Sequence, residues 1–133
     1  MVFHICLAGE HVTGHQELVH ALRQRHQITL VDRPELLLAT GLLSSADVLV
    51  LDSAADPARL PGLLHQLRDR FPRLRVVLVN GGLGPREVAD AFGTGIADYF
   101  PQPCDVKLLG DRIEVLAGRY RREAPSGAVR DQA

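Results

Sequence analysis

Polar residues follow five short apolar runs of the sequence, and these are the positions at which the chain could do chemistry. In chain order they are Gly9-Glu10-His11, Asp32, Asp52-Ser53, Asn80-Gly81-Gly82 and Pro101-Gln102-Pro103. If the apolar runs are parallel strands, ligands are expected just outside their carboxyl ends. Glu10 and Asp52 would then place two carboxylates at one rim, and oxygen donors of this kind favour a magnesium ion. Any chain that leaves its core becomes polar, so the prediction rests on the whole set.

The elements that must position these residues alternate between two patterns. Apolar runs predict strands at residues 2–8, 28–31, 48–51, 76–79 and 97–100. The central three runs are almost wholly apolar, which is typical of strands covered on both faces. Short strands that alternate with helices favour a parallel sheet between two helical layers. We therefore predict an α/β, flavodoxin-like three-layer sandwich with five helices and five strands in the order 2-1-3-4-5.

Helical periodicity fills the segments between the strands. The third and fifth helices carry apolar stripes with turn-like spacing, at Leu60, Leu63, Leu64 and Leu67 and at Leu109, Ile113, Leu116 and Tyr120. Pro57 is expected to open the third helix, and Pro85 and Gly93 should bound the fourth. A second helix over about residues 34–43 has consecutive rather than periodic leucines. We predict one folded domain over residues 1–122 and a flexible tail or linker over 123–133.

Composition narrows the function classes. A net charge of −1 argues against nucleic acid or anionic lipid as the main partner of this domain. Four arginines between positions 68 and 75 are diluted by Asp69 and are expected to solvate a helix end. Cys6 and Cys104 lie far apart, which fits a reducing compartment better than a disulfide framework. No apolar run has the length of a membrane span and no signal peptide is evident, so we predict a cytoplasmic protein without membrane contact.

Two segments resemble the receiver domain of bacterial two-component response regulators. Residues 46–52, Ala-Asp-Val-Leu-Val-Leu-Asp, are similar to the receiver segment that ends in the phospho-accepting aspartate. Residues 95–103, Gly-Ile-Ala-Asp-Tyr-Phe-Pro-Gln-Pro, are similar to the family signature Gly-x-x-Asp-Tyr-x-x-Lys-Pro. The resemblance covers about residues 2–122. It implies a CheY-like fold in which Asp52 is the phosphoacceptor and Glu10 and Asp52 hold magnesium.

The resemblance also implies three switch positions and a special peptide bond. Asn80 stands where receivers carry a Thr or Ser hydroxyl, Tyr99 matches the aromatic residue that changes rotamer, and Gln102 stands at the lysine position. Pro103 matches a proline that receivers hold after a cis bond, which X-Pro sequences tolerate better than others.

Three departures from the receiver pattern bear directly on phosphorylation, and the first is Asn80, whose amide cannot replace a small hydroxyl without repositioning. Gly9 stands where the first acidic residue should be, and Gln102 brings no charge to offset the roughly −1.5 to −2 of a phosphoryl group. Phosphoryl transfer relies on positioning and charge stabilisation. We therefore predict an atypical receiver domain with weak magnesium binding and phosphorylation lost or impaired.

Other kinds of site have weaker support. The segment His11-Val12-Thr13-Gly14, with Gly81-Gly82 later, weakly resembles cobalamin-binding domains, so a cobalamin- or other small-ligand-binding domain is the alternative function. His11 and His15 are four apart, but Gly14 weakens a helix between them. His4, His20, His26 and His65 have no partner at useful spacing, and all six histidines are predicted to be surface or partly packed. No nucleophile-elbow motif is present, so an independent enzyme is not expected.

The predicted output is contact with a protein partner or a second copy. Receivers communicate through the face made by helix 4, strand 5 and helix 5, here about residues 85–120. The last helix carries arginines beside its apolar stripe at Arg112, Arg119, Arg121 and Arg122. These charges could set the register of a paired face.

Overall fold

The computed structural model describes residues 1–9, 15–39, 41–52, 58–79, 83–101 and 104–123, with side chains described as far as residue 119. Its five strands form one parallel sheet in the order β2-β1-β3-β4-β5, which confirms the predicted topology. The strands are β1 His4–Ala8, β2 Gln27–Val31, β3 Val48–Asp52, β4 Arg75–Val79 and β5 Asp98–Phe100. The described helices are α1 Gln16–Arg23, α2 Leu36–Ala39, α3 Leu60–Arg70, α4 Pro85–Thr94 and α5 Val106–Glu123.

The two faces of the sheet are covered by different helices. Side chains alternate between the faces with a period of two. Leu49 and Leu51 of β3 pack into the core beneath α2, α3 and α4, whereas Val48 and Val50 pack into the core beneath α1 and α5. All residues of β1 and β3 are buried, which explains why these runs lack the polar alternation of a one-sided sheet.

Burial also accounts for the chemistry of the described cysteines. Cys6 lies in the middle of β1 and burial raises the pKa of its thiol to about 12. Because the thiolate is the reactive form, this residue acts as a small apolar core side chain. Cys6 and Cys104 are both thiols rather than partners in a disulfide.

The predicted second helix is interrupted. Instead of one helix over residues 34–43, the chain forms α2 and then a 3-10 turn over Gly41–Ser44. Leu37 and Leu43 are both buried. In a continuous helix, two residues six positions apart would point to different sides. The break lets both leucines enter the core.

Helix α4 begins at Pro85 as predicted but ends one residue later than predicted, and the predicted opening of α3 at Pro57 falls on a residue outside the described ones. Helix α3 begins at Leu60 with Pro61 in its first turn. Helix α4 continues through Gly93 to Thr94 and ends at Gly95, whose φ of 109° is the left-handed conformation that favours glycine. At the other end of the fold, α5 extends to Glu123, and residues 124–133 of the predicted tail lie outside the described residues.

Two histidines that were predicted to be surface or partly packed are buried, so that prediction is wrong for His4 and His26. The Nδ1 atom of His26 accepts from the Phe3 N–H at 3.2 Å, so its Nε2–H donates to Glu114 of α5 at 2.6 Å. His4 Nε2 lies 2.8 Å from Thr29 Oγ1. Both networks join residues at least 23 positions apart, and sequence spacing gave no sign of them.

Two arginines of α3 donate hydrogen bonds to backbone carbonyls near the ends of other helices. Arg68 donates to the Thr94 carbonyl at the end of α4 at 2.9 Å, and Arg70 donates to the Leu38 carbonyl in α2 at 2.9 Å. Carbonyls in the last turn of a helix lack intrahelical donors, so both bonds satisfy the backbone. Within the described part of the chain, no helix combines the length and the apolar composition needed to cross a membrane.

Candidate functional site

The site lies at the carboxyl end of β3, where Asp52 is the last residue of the strand. This strand is central in the sheet, and Asp52 is in register with Val79 of β4. The Asp52 carboxylate is nearly inaccessible, since its side chain is only 2% exposed. Four other predicted site residues, Glu10, Asn80, Gln102 and Pro103, lie outside the described residues.

The side-chain direction of Asp52 follows from the period of the strand. Asp52 stands two and four residues after Val50 and Val48, which pack beneath α1 and α5. Its carboxylate therefore points to the same side of the sheet. Helix α1 of that layer follows β1, the neighbour of β3, and therefore begins near the carboxyl rim, at Gln16.

His15 occupies this position and binds Asp52. Its Nε2 atom lies 2.8 Å from Asp52 Oδ2, and its side chain is 11% exposed. A carboxylate only accepts, so Nε2 carries the hydrogen of this bond. The His15 carbonyl accepts from Val19 in the first turn of α1, and its side chain makes no capping bond. The helix start thus holds the backbone while the imidazole turns toward the strand.

Sequence reasoning did not find this pair. His15 was considered only with His11, four residues away, whereas its partner is 37 residues distant. A usable signal was present, because the residue that precedes the first helix of a β-α unit lies at the carboxyl rim of the sheet. The alternation of side chains along β3 places Asp52 on the side of the sheet that α1 covers. Together with that rule, it would have predicted that His15 and Asp52 lie close to each other.

Gly9 packs directly on Asp52. Its φ is 142°, and its N–H donates to the Val31 carbonyl at 2.9 Å. A Cβ atom built on Gly9 would lie 2.7 Å from Asp52 Cβ and 3.0 Å from the Asp52 carbonyl oxygen. Real Cβ atoms essentially never come so close, and the φ is one that only glycine adopts readily. The local backbone therefore requires glycine at a position where the receiver pattern has an acid.

These contacts bear on the magnesium site that the receiver resemblance implies. Positions 9 and 52 together supply one carboxylate, and its Oδ2 already accepts from His15. A magnesium ion prefers several oxygen ligands. Over the described ranges, no group of three His, Cys, Asp or Glu side chains could hold a metal ion. Among the described residues of the site, Gly9 supplies no side-chain ligand and Asp52 supplies one carboxylate, and Glu10, the second predicted ligand, lies outside them.

The remaining described switch residue, Tyr99, lies in β5. Its half-buried ring packs against the core beneath α2, α3 and α4, and its N–H donates to Asp98 Oδ1 at 2.8 Å. The second oxygen of Asp98 accepts from Arg112 Nε of α5 at 2.9 Å. Arg112 therefore ties α5 to β5 and is not an unengaged rim charge.

Comparison with known proteins supports the fold. No protein-family model and no curated protein sequence matches the chain. Among solved structures, a CheY-like receiver domain protein from Methanospirillum hungatei has a TM-score of 0.80 and 13% identity, with 93% of this chain and 100% of that chain covered. A candidate pilus assembly-related protein from Burkholderia pseudomallei has a TM-score of 0.75 and 21% identity, with 89% and 91% covered. A candidate pilus assembly protein from Burkholderia thailandensis has a TM-score of 0.70 and 22% identity, with 89% and 99% covered. The chain thus has the CheY-like fold.

Replacement of Gly9 by alanine tests the close approach of this residue to Asp52. We expect Gly9→Ala to lower the free energy of unfolding by about 2 kcal/mol or more, because the methyl group meets Asp52 and the φ is strained. Urea denaturation measures the change. Gly62→Ala is the matched control, since in the described structure a Cβ at Gly62 meets no atom within 4 Å. If both variants have wild-type or higher stability, Gly9 is not under steric constraint.

Proposed function

We propose that this chain is an atypical receiver-type domain that acts by protein contact, with phosphorylation at Asp52 lost or impaired. The observation that carries the proposal is the bond between His15 Nε2 and Asp52 Oδ2 at 2.8 Å, made by a carboxylate with 2% exposure. A phosphodonor must approach a carboxylate oxygen in line with its leaving group. His15 covers one such oxygen, so its ring has to move before that oxygen can react.

The bond between His15 and Asp52 also stabilises the unreacted carboxylate and not the transition state of phosphoryl transfer. A donor that binds the carboxylate before reaction stabilises the ground state, and only interactions that strengthen in the transition state accelerate a step. A phosphoryl group would add roughly −1.5 to −2 charge at this buried position. His15 brings an imidazole to Asp52, Gly9 brings no side chain, and Gln102 stands without charge at the receiver lysine position. These features support impaired phosphorylation and weak magnesium binding.

The fold by itself does not select a function. Its structural neighbours include CheY-like receivers and candidate pilus assembly proteins, and one fold commonly hosts several activities. The proposal therefore rests on the site. It includes a cytoplasmic location and no catalytic activity of the domain's own. No observation on the described residues favours the cobalamin alternative, whose loop histidine His11 lies outside them.

The proposed contact surface is the face formed by α4, β5 and α5. Its two helices carry three exposed large apolar side chains, with exposed fractions of 46% for Phe92 of α4, and 62% for Leu108 and 45% for Val115 of α5. Leu108 and Val115 are seven residues apart, which places them on one side of α5. Arg119 adds an exposed charge on the same helix. Apolar side chains with a charged rim suit a modest protein interface, with a partner protein or a second copy.

Incubation with acetyl phosphate and magnesium, read by intact mass, tests the phosphorylation proposal. We expect little addition of a phosphoryl group to the wild-type protein and none to Asp52→Asn. His15→Ala should be labelled at least as fast as wild type, because it uncovers the carboxylate oxygen. His20→Ala is the matched control on the exposed side of α1. Rapid, magnesium-dependent addition of one group to the wild type, abolished in Asp52→Asn, would contradict the proposal.

Charge and polarity changes on α5 test the contact surface. We expect Leu108→Glu and Arg119→Glu to weaken self-association in sedimentation equilibrium, with a larger effect of Arg119→Glu at low salt. Arg112 is unsuitable because its reversal would also break the bond to Asp98. Leu36→Glu is the control, as Leu36 is exposed on α2, a helix outside this face. Self-association that is equal in all variants would show that the self-contact lies outside this face. A monomeric wild-type protein would show that the face does not bind a second copy, so that its proposed partner is a different protein.

A further inference from the structure

A groove of about 420 Å³ lies between α3 and α4, and Asp52 is not among the residues that line it. Leu60 and Leu64 of α3 and Leu83 before α4 supply apolar lining, and the first two belong to the core. His65 of α3 also lines the groove, together with the acidic residues Glu87 and Asp90 of α4. The groove therefore combines an apolar floor with two carboxylates on one wall.

The acidic wall is partly prearranged. Glu87 Oε1 accepts from the Gly84 N–H at 2.9 Å, which fixes this side chain at the beginning of α4. A fixed side chain loses little rotamer entropy when a partner binds. Arg68 lies near the other end of α4, where it is bound to the Thr94 carbonyl at 2.9 Å and is not among the residues that line the groove. The carboxylates thus dominate the charge within the groove.

Gly93 keeps the wall of the groove open at a cost to α4. Glycine inside a helix is less favourable than alanine by about 1 kcal/mol. Packing does not explain this glycine, because among the described residues no atom lies within 4 Å of a Cβ built there. Ala89, one turn earlier, also lines the groove with a small side chain. A larger residue at either position would fill the space.

We propose that this groove is a docking site for a short segment of a partner protein that carries an apolar side chain next to a lysine or arginine. The apolar side chain would pack on Leu60 and Leu64, and the cation would meet Glu87 and Asp90. Helix α4 has ten residues and is therefore about 15 Å long, which matches a helical segment of two to three turns. Binding of an amphipathic helix in an apolar groove is a recurring mode of recognition. The site goes beyond the proposed function, since it shares helix α4 with the face of α4, β5 and α5 but is lined by neither Asp52 nor the exposed Phe92, Leu108 and Val115.

Binding of a synthetic peptide tests the groove. The probe is an amidated helix of about three turns with two leucines one turn apart and flanking arginines. Its control replaces the arginines by glutamates. We expect the arginine peptide to bind, with amide shifts in NMR spectra at Ala89 and Gly93, and the glutamate peptide not to bind. Asp90→Asn should weaken binding and reduce its salt dependence, because one charge pair is lost.

Filling the groove gives the sharpest control. Gly93→Phe should weaken the arginine peptide at least about tenfold, which is about 1.4 kcal/mol of binding free energy. Gly62→Phe should leave binding unchanged, because Gly62 is also an exposed helical glycine with open space in the described structure but does not line the groove. Gly93→Leu replaces Gly93→Phe should the aromatic ring impair folding. Asp52→Asn should bind as wild type, so failure here is separate from failure of the proposed function.

Three results would overturn the proposal. Equal binding of the arginine peptide to wild type and Gly93→Phe would place it outside the groove. Equal binding of the arginine and glutamate peptides would show that Glu87 and Asp90 do not recognise the cation. Self-association of the wild-type protein that Gly93→Phe abolishes and Gly62→Phe does not would identify a second copy, rather than a foreign segment, as the occupant.

Discussion

The close approach of β1 to β3 at their carboxyl ends is the constraint on which the site depends. Gly9 lies so near Asp52 that a Cβ atom would stand 2.7 Å from the Asp52 Cβ. The two strands are neighbours in the sheet, with Ala8 in register with Leu51, so this approach continues the strand pairing by one residue. An acidic side chain at position 9 would require the backbone to separate. The glycine therefore excludes one of the carboxylates that a magnesium site of the receiver type would use.

The same constraint gives Asp52 a different partner. A buried carboxylate is costly unless it accepts hydrogen bonds. Helix α1 begins on the side of the sheet to which Asp52 points, and His15 donates from there at 2.8 Å. The bond joins the start of α1 to the central strand. We infer that Asp52 contributes to the stability of the rim, which agrees with the proposal that the domain acts through fixed surfaces and not through a phosphorylation-dependent switch.

Much of the fold could be predicted from periodicity, because strands buried on both faces and amphipathic helices leave strong patterns. The order of strands and the placement of Asp52 at the end of β3 follow from such patterns. The break after α2 could not be predicted, since the run of leucines does not show which ones enter the core. The partners of His4, His15 and His26 were missed because tertiary contacts join residues far apart in sequence. Gly9 was recognised as a departure from the receiver pattern, but the steric need for glycine depends on a neighbouring strand.

A double-mutant cycle between His15 and Asp52 tests the central claim that these side chains stabilise each other. The free energies of unfolding of wild type, His15→Ala, Asp52→Ala and the double variant give the coupling energy, from which the separate effects of each truncation cancel. We predict a favourable coupling of about 1 kcal/mol or more, as expected for a buried hydrogen bond to a carboxylate. Additive effects, with a coupling below about 0.3 kcal/mol, would contradict the account, because His15 and Asp52 would then be independent residues.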